Sequence, residues 1–217
     1  RQIADDNKLI IIEDAAHALG ADYCGEKVGS GRYADMTILS FHAVKHITTG
    51  EGGMILTNNK DYYEKLKILR THGITRDVKL AAEDQGAWYY EMQSLGFNYR
   101  LTDFQCALGL SQLGKLDRFV EKRRQIVAIY NKEFSGHEEI QPLTVDGAGN
   151  SAHHLYVLRF NLEWFSASRK QIFEEYRRRG IMVNVHYIPV YFQPYYRRLG
   201  YQPGLCPQAE KYYEGAI

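Results

Sequence analysis

The segment Lys8-Leu9-Ile10-Ile11-Ile12-Glu13-Asp14 sets four consecutive aliphatic side chains in front of two carboxylates. Such a run is too continuous for a half-exposed strand, where polar and apolar residues alternate, and it predicts a buried parallel strand over residues 8–14. A parallel strand needs neighbours and covering helices, so an α/β architecture follows. Neighbours are available downstream: residues 36–41 and 53–57 are further short apolar runs bounded by polar or glycine-containing segments. No covering element precedes the first strand, and the chain opens on Arg1 without a signal-peptide pattern, so it is expected to be a piece of a larger protein.

Composition narrows the partners. Lys and Arg number 27 against 26 Asp and Glu, which removes the positive excess that non-specific nucleic-acid binding needs. The longest aliphatic run, of four residues, is far below the roughly 20 that span a bilayer, so no membrane helix is expected. Cys24, Cys106 and Cys206 are odd in number and widely spaced, a pattern that fits neither a zinc site nor a disulfide framework and points to a reducing cytoplasm.

Glycines at 25, 29 and 31 predict a small hairpin over residues 21–31. Helices are predicted over 60–70, where Tyr62, Tyr63, Leu66 and Leu69 recur at helical spacing, over a segment capped by Thr102 or Asp103, and over 115–134. Residues 72–92 read as a long loop, and the Gly, Asp and Asn of 136–151 as a break before a second domain. That domain is expected to run strand 155–160, helix 168–179 ended by Gly180, strand 181–187 and a final helix from 209.

Asp14 closes an apolar strand, and in open α/β sheets ligands gather at the carboxyl ends of strands. As a type, an Asp before an Ala-rich turn is also a common helix cap. The second strand ends in Ser40, His42 and Lys45, just before the glycine-rich segment 48–53. A lysine is usually a solvated surface charge. Held near a partly desolvated strand end, its neutral amine is favoured, and a neutral amine attacks aldehydes to form a Schiff base. No Gly-x-Gly-x-x-Gly turn follows the first strand, which argues against a dinucleotide-binding dehydrogenase.

Four blocks occur in order: Ile12-Glu13-Asp14-Ala15-Ala16-His17, Ser40-Phe41-His42-Ala43-Val44-Lys45, Glu51-Gly52-Gly53, and Gly96-Phe97-Asn98-Tyr99-Arg100-Leu101-Thr102-Asp103. Together they resemble the DegT/DnrJ/EryC1/StrS sugar aminotransferases, pyridoxal-phosphate enzymes of the aspartate-aminotransferase fold (fold type I). Residues 180–189 are similar to the small domain of that family. The resemblance implies a partial cofactor-binding large domain over 1–115, and over 116–217 a linking helix and a smaller α+β domain that stops within a helix. It implies that Lys45 is the Schiff-base lysine and proton carrier, and that Asp14 faces the pyridine nitrogen. It places His17 against the ring's phenolic oxygen, has Ser40 donate to the phosphate, and has Asn98 reach the phosphate of a neighbouring subunit, which requires a homodimer. His42, His186 and Tyr187 resemble positions near the sugar nucleotide, although such residues also pack structurally at strand ends. For His17, a packed core histidine stays open, as does a turn-forming role for Ser40 and a salt bridge for Arg100.

The segment 40–53 is most similar to the branch that makes the pseudaminic-acid precursor. The implied reaction is amination at C4 of a UDP-linked 4-keto-6-deoxy-N-acetylhexosamine with L-glutamate as donor, by a ping-pong route. Dehydratases of the family carry histidine in place of the lysine, so Lys45 favours amination. His46 stands where close relatives often have proline. The family's glycine-containing phosphate turn and its ring-stacking aromatic precede the segment that begins at Arg1, so the polypeptide alone is expected to be inactive. Two alternatives stay open: a non-catalytic binding or regulatory protein of the same fold, and a family member acting on another keto-sugar nucleotide.

Overall fold

The computed structural model describes residues 1–77, 79–83, 85–144, 147 and 149–217. Val78 and Asp84 of the predicted loop, and Val145, Asp146 and Ala148 of the predicted break, lie outside the described residues.

In chain order the elements are α1 (Gln2–Asp6), β1 (Ile12–Asp14), β2 (Asp22–Tyr23), β3 (Glu26–Lys27), β4 (Met36–Ser40), β5 (Gly53–Leu56) and α2 (Lys60–Leu69). There follow β6 (Ile74–Thr75), β7 (Glu91–Met92), α3 (Asp103–Leu113), α4 (Leu116–Glu133), β8 (Ile140–Pro142), β9 (Gly149–Asn150) and β10 (Leu158–Phe160). The last helices are α5 (Arg169–Arg178), α6 (Pro194–Arg198) and α7 (Pro207–Gly215). They form two compact units, one of Arg1–Lys122 with Gly147–His154, the other of Arg123–Asp146 with Leu155–Ile217.

In the first unit a three-stranded sheet has the order β1-β4-β5. β1 runs parallel to β4 with Asp14 opposite Ile38, and β5 returns antiparallel with Gly53 opposite Ser40. The sheet holds because alternate residues of β4, Thr37 and Leu39, are buried, and the Thr37 hydroxyl donates a 3.0 Å hydrogen bond to Glu13 Oε2. Ala15, Leu39, Phe41 and Ile47 form one buried cluster. The hairpin β2-β3 forms as the glycines predict. It gains a third strand in β9, which pairs Asn150 with Asp22, so residues 147–154 return to the first unit. Ala21, Val120 and Ala152 make the cluster beneath it.

Thr102 caps α3 in a reciprocal box: its hydroxyl accepts from Gln105 N, and Gln105 Oε1 accepts from Thr102 N. Asn59 Oδ1 caps α2 by accepting from Asp61 N and Tyr62 N. The predicted loop carries a small ladder, β6 against β7. There the chain passes so close to itself that a Cβ on Gly96 would collide with the backbone of Gly73.

In the second unit β8 pairs antiparallel with β10, Pro142 opposite Leu158, and Ala216 forms a bridge with Arg159. Ser168 caps α5 with a second reciprocal box through Gln171. No helix of the described residues is long and apolar enough to cross a membrane.

Three expectations change. The first strand is confined to Ile12–Asp14: Lys8 turns with a positive φ of 54°, and the Ile11 N–H is taken by the Asp35 carboxylate instead of a strand partner. It is not buried: among the described residues β1 pairs only with β4, and Ile12 is 58% exposed. Residues 181–187 are not a strand, because their backbone bonds are local. Val183 N donates to Ile181 O, and Arg177 donates to Val183 O, so no ladder forms.

Candidate active site

The carboxyl ends of β1 and β4 lie side by side, which the parallel register dictates. Asp14 ends β1 as an exposed side chain, and its Oδ1 accepts a 3.1 Å hydrogen bond from Ala16 N. The helix that Asp14 could cap does not form. Ala18 N bonds Ala15 O and Ala21 N bonds Ala18 O, a succession of tight turns. Asp14 therefore caps a turn rather than a helix, and its second carboxylate oxygen is not used in that bond.

β4 ends at Ser40, whose hydroxyl accepts a long 3.4 Å bond from His42 N. From there a loop leaves and re-enters the sheet through one residue. Phe41 N donates to Gly52 O at 2.8 Å, while Phe41 O accepts from Thr49 N at 3.0 Å and from the Thr48 hydroxyl at 3.2 Å. Lys45 sits in a turn inside this loop, with its N–H donating to His42 O at 3.0 Å. It is half-buried, between exposed Val44 and buried His46. Gly52 closes the loop with φ of 150°, a conformation that favours glycine, and a Cβ there would also crowd the Thr49 and Leu101 side chains.

Ala15, next to Asp14, and Ile47, two residues beyond Lys45, belong to the same buried cluster. Asp14 and Lys45 thus flank one packed core. His17 is exposed, and its ring meets that of His154 edge to face, with centroids 4.4 Å apart. His42 is exposed and lies 3.7 Å from Glu51, a surface pairing of small energetic weight. Asn98 is exposed on the segment that precedes α3, where it forms a bridge with Thr71.

His186 and Tyr187 belong to the second unit, the first half-buried and the second exposed, with ring centroids 6.2 Å apart. Concavities of about 580 Å3, walled in part by Phe173 and Tyr213, and 220 Å3, beside the β2-β3 hairpin, contain none of the predicted site residues. Sequence reading missed His154 altogether. The adjacent pair His153-His154 just before an apolar segment is its only linear signal, and its neighbours are distant in sequence.

The model of the DegT/DnrJ/EryC1/StrS aminotransferase family matches residues 1–217, the entire chain. The chain belongs to this family. It is a family of pyridoxal-phosphate-dependent sugar aminotransferases of fold type I, and its solved members include both pyridoxal- and pyridoxamine-phosphate forms. An uncharacterized protein, MJ1066 of Methanocaldococcus jannaschii, is 43% identical over 217 residues, covering 100% of this chain and 56% of that protein. A UDP-4-amino-4,6-dideoxy-N-acetyl-beta-L-altrosamine transaminase of Campylobacter jejuni is 41% identical over 197 residues, covering 91% of this chain and 50% of that enzyme. Among solved structures, Helicobacter pylori PseC, an aminotransferase of pseudoaminic acid biosynthesis, superposes with a TM-score of 0.86 at 34% identity, over 100% of this chain and 55% of that one. The chain therefore spans about half the length of the relatives it matches.

Proposed function

We propose that the intact protein moves an amino group from L-glutamate to C4 of a UDP-linked 4-keto-6-deoxy-N-acetylhexosamine, leaving 2-oxoglutarate and a 4-amino sugar nucleotide. The observation that carries this reading is the placement of Asp14 at the end of β1 and of Lys45 in the loop that follows the adjacent strand β4, both beside one buried cluster. One amine and one carboxylate at neighbouring strand ends are the donor set that a coenzyme with an aldehyde and a basic ring nitrogen requires. When bound, pyridoxal phosphate supplies a carbonyl that exchanges amines and a ring that accepts the electron pair left by a departing proton.

Lys45 Nζ would be the nucleophile toward that carbonyl and would afterwards carry the proton in the transfer. Asp14 would face the ring nitrogen, where a negative charge favours the protonated ring, and the bond from Ala16 N holds its carboxylate in place. His17 would lie against the ring's oxygen, and Ser40 would donate its hydroxyl to the phosphate. Asn98 donates to the phosphate of a second copy, so the enzyme works as a homodimer; its exposure at the surface is compatible with that role. His42 in the first unit, and His186 and Tyr187 in the second, are each proposed as sugar-nucleotide contacts of the intact protein. Residues 1–115 are the partial cofactor-binding domain, and 116–217 the linking helix and small domain. The two half-reactions are ping-pong, with glutamate converted before the keto sugar is aminated. All three cysteines are exposed free thiols, which suits a reducing cytoplasm.

The Campylobacter transaminase and the Helicobacter enzyme support the choice of sugar. The test is to load the intact protein with pyridoxal phosphate, reduce with borohydride and map the labelled peptide. Label on Lys45 is expected, and label elsewhere overturns the site. A panel of 4-keto nucleotide sugars with glutamate then reads the substrate, and an inert panel overturns the assigned reaction.

A further inference from the structure

We infer that His154 is a positioning residue that ties the Asp14 turn to the Lys45 loop, a reading that rests on the cofactor site proposed above. Its ring touches two others. The His17 ring lies 4.4 Å away between centroids, edge to face at 61°, and the His46 ring lies 5.5 Å away, tilted at 52°. His17 is three residues beyond Asp14, and His46 is bonded directly to Lys45. One side chain thus contacts a neighbour of each group that the chemistry needs.

The segment that delivers His154 is fixed to the first unit. β9 pairs with β2, Asn150 Nδ2 donates to Asp22 Oδ2 at 3.2 Å, and Ala152 is 1% exposed in the cluster with Ala21 and Val120. His153 N donates to the Ser151 hydroxyl, and His153 takes a φ of 50°, a left-handed conformation that a non-glycine residue keeps only where its surroundings hold it. That turn presents the next residue to His17 and His46. His46 is itself 4% exposed, so the contact reaches the buried base of the Lys45 loop.

A ring packed edge to face fixes its partner's plane, because the quadrupoles prefer that geometry. His154 acts in this way on His17, and it braces the loop through His46. The three rings are not a metal centre: among the described residues no group of three His, Cys, Asp or Glu is placed to hold an ion.

The experiment uses the intact protein with His154→Ala and His154→Phe. Pyridoxal phosphate affinity and the absorbance band of the bound cofactor are measured, together with the imidazole proton resonances of His17 and His46 in cofactor-free protein. His154→Ala is expected to weaken affinity about fivefold, to shift the band, and to move both sets of resonances. His154→Phe keeps a ring in the contact and is expected to return affinity to within about twofold. Label on Lys45 with affinity and band unchanged in His154→Ala overturns this inference alone. A wild-type protein that takes no label at Lys45 overturns the cofactor site and this inference with it. Where His154→Ala does not fold, His154→Phe decides: near-native affinity upholds the role of the ring, and a loss as large as fivefold overturns it.

Discussion

Gln105 Nε2 donates a 2.9 Å hydrogen bond to the carbonyl oxygen of Glu51, joining the first turn of α3 to the loop that carries Lys45. The same side chain closes the capping box with Thr102 through its Oε1. Gln105→Glu keeps an acceptor for the cap and removes the donor to Glu51, so it isolates the tether. Hydrogen exchange over residues 48–53 is expected to quicken in that variant with little change in global stability. Gln105→Ala removes both contacts and should cost about 1 kcal/mol. Equal exchange rates in Gln105→Glu and wild type would show that the tether does not restrain the loop.

Asp14→Asn retains an oxygen that can accept from Ala16 N, so the turn and the fold are expected to persist. It removes the negative charge proposed to hold the ring nitrogen protonated. Turnover of the loaded intact protein should fall by about a hundredfold or more, with the melting temperature unchanged. Steady-state kinetics beside a thermal scan separate the two effects.

Lys45→Arg preserves a positive side chain in the half-buried turn but offers no neutral amine. Transamination should drop by about a thousandfold or more, and borohydride should fix no label in the protein. Mass spectrometry of the reduced protein gives the answer.

Phe41 is both a buried cluster member and the residue through which the Lys45 loop enters and leaves the sheet. Phe41→Ala is expected to cost about 3–5 kcal/mol, measured by denaturant unfolding. A loss below about 1 kcal/mol would mean that the cluster repacks around the gap.

The N–H of Ile11, with help from the Arg1 guanidinium, holds the Asp35 carboxyl below the usual carboxylate range. A group whose folded-state value is depressed contributes stability above its unfolded value of about 3.9, and that contribution is lost as pH falls through the folded value. Acid titration of the unfolding transition should therefore show a steeper fall below about pH 4 in wild type than in Asp35→Asn. Parallel acid limbs would refute the assignment.

Much of the fold is legible in linear form where local chemistry and packing agree. The apolar runs of β4 and β5, the Thr102 cap, the helices expected near 60–70 and 168–179, and the glycine hairpin all form close to where their residues predict. Residues 181–187 show the limit. Ile181, Val183 and Val185 alternate as a strand would, yet a strand exists only through a partner, and this segment spends its hydrogen bonds on itself and Arg177. The run from Lys8 fails for another reason: Lys8 turns with a positive φ and the Ile11 N–H goes to the Asp35 carboxylate, neither of which side-chain type reveals, so the ladder begins only at Ile12. Asp14 and Lys45 could be singled out because strand ends and spacing are sequence properties. His154 could not, since its contacts to His17 and His46 span more than a hundred positions and arise from the pairing of β9 with β2.

That pairing also dictates how the molecule can be divided. Residues 147–154 complete the first unit only after the chain has traversed residues 123–146 of the second, so no contiguous gene segment ending at α4 encodes the whole first unit. A cut there would strip the hairpin of its third strand and uncover Ala21 and Val120. Dissection by expression must carry the returning strand along, by fusion or by co-expression as a separate peptide.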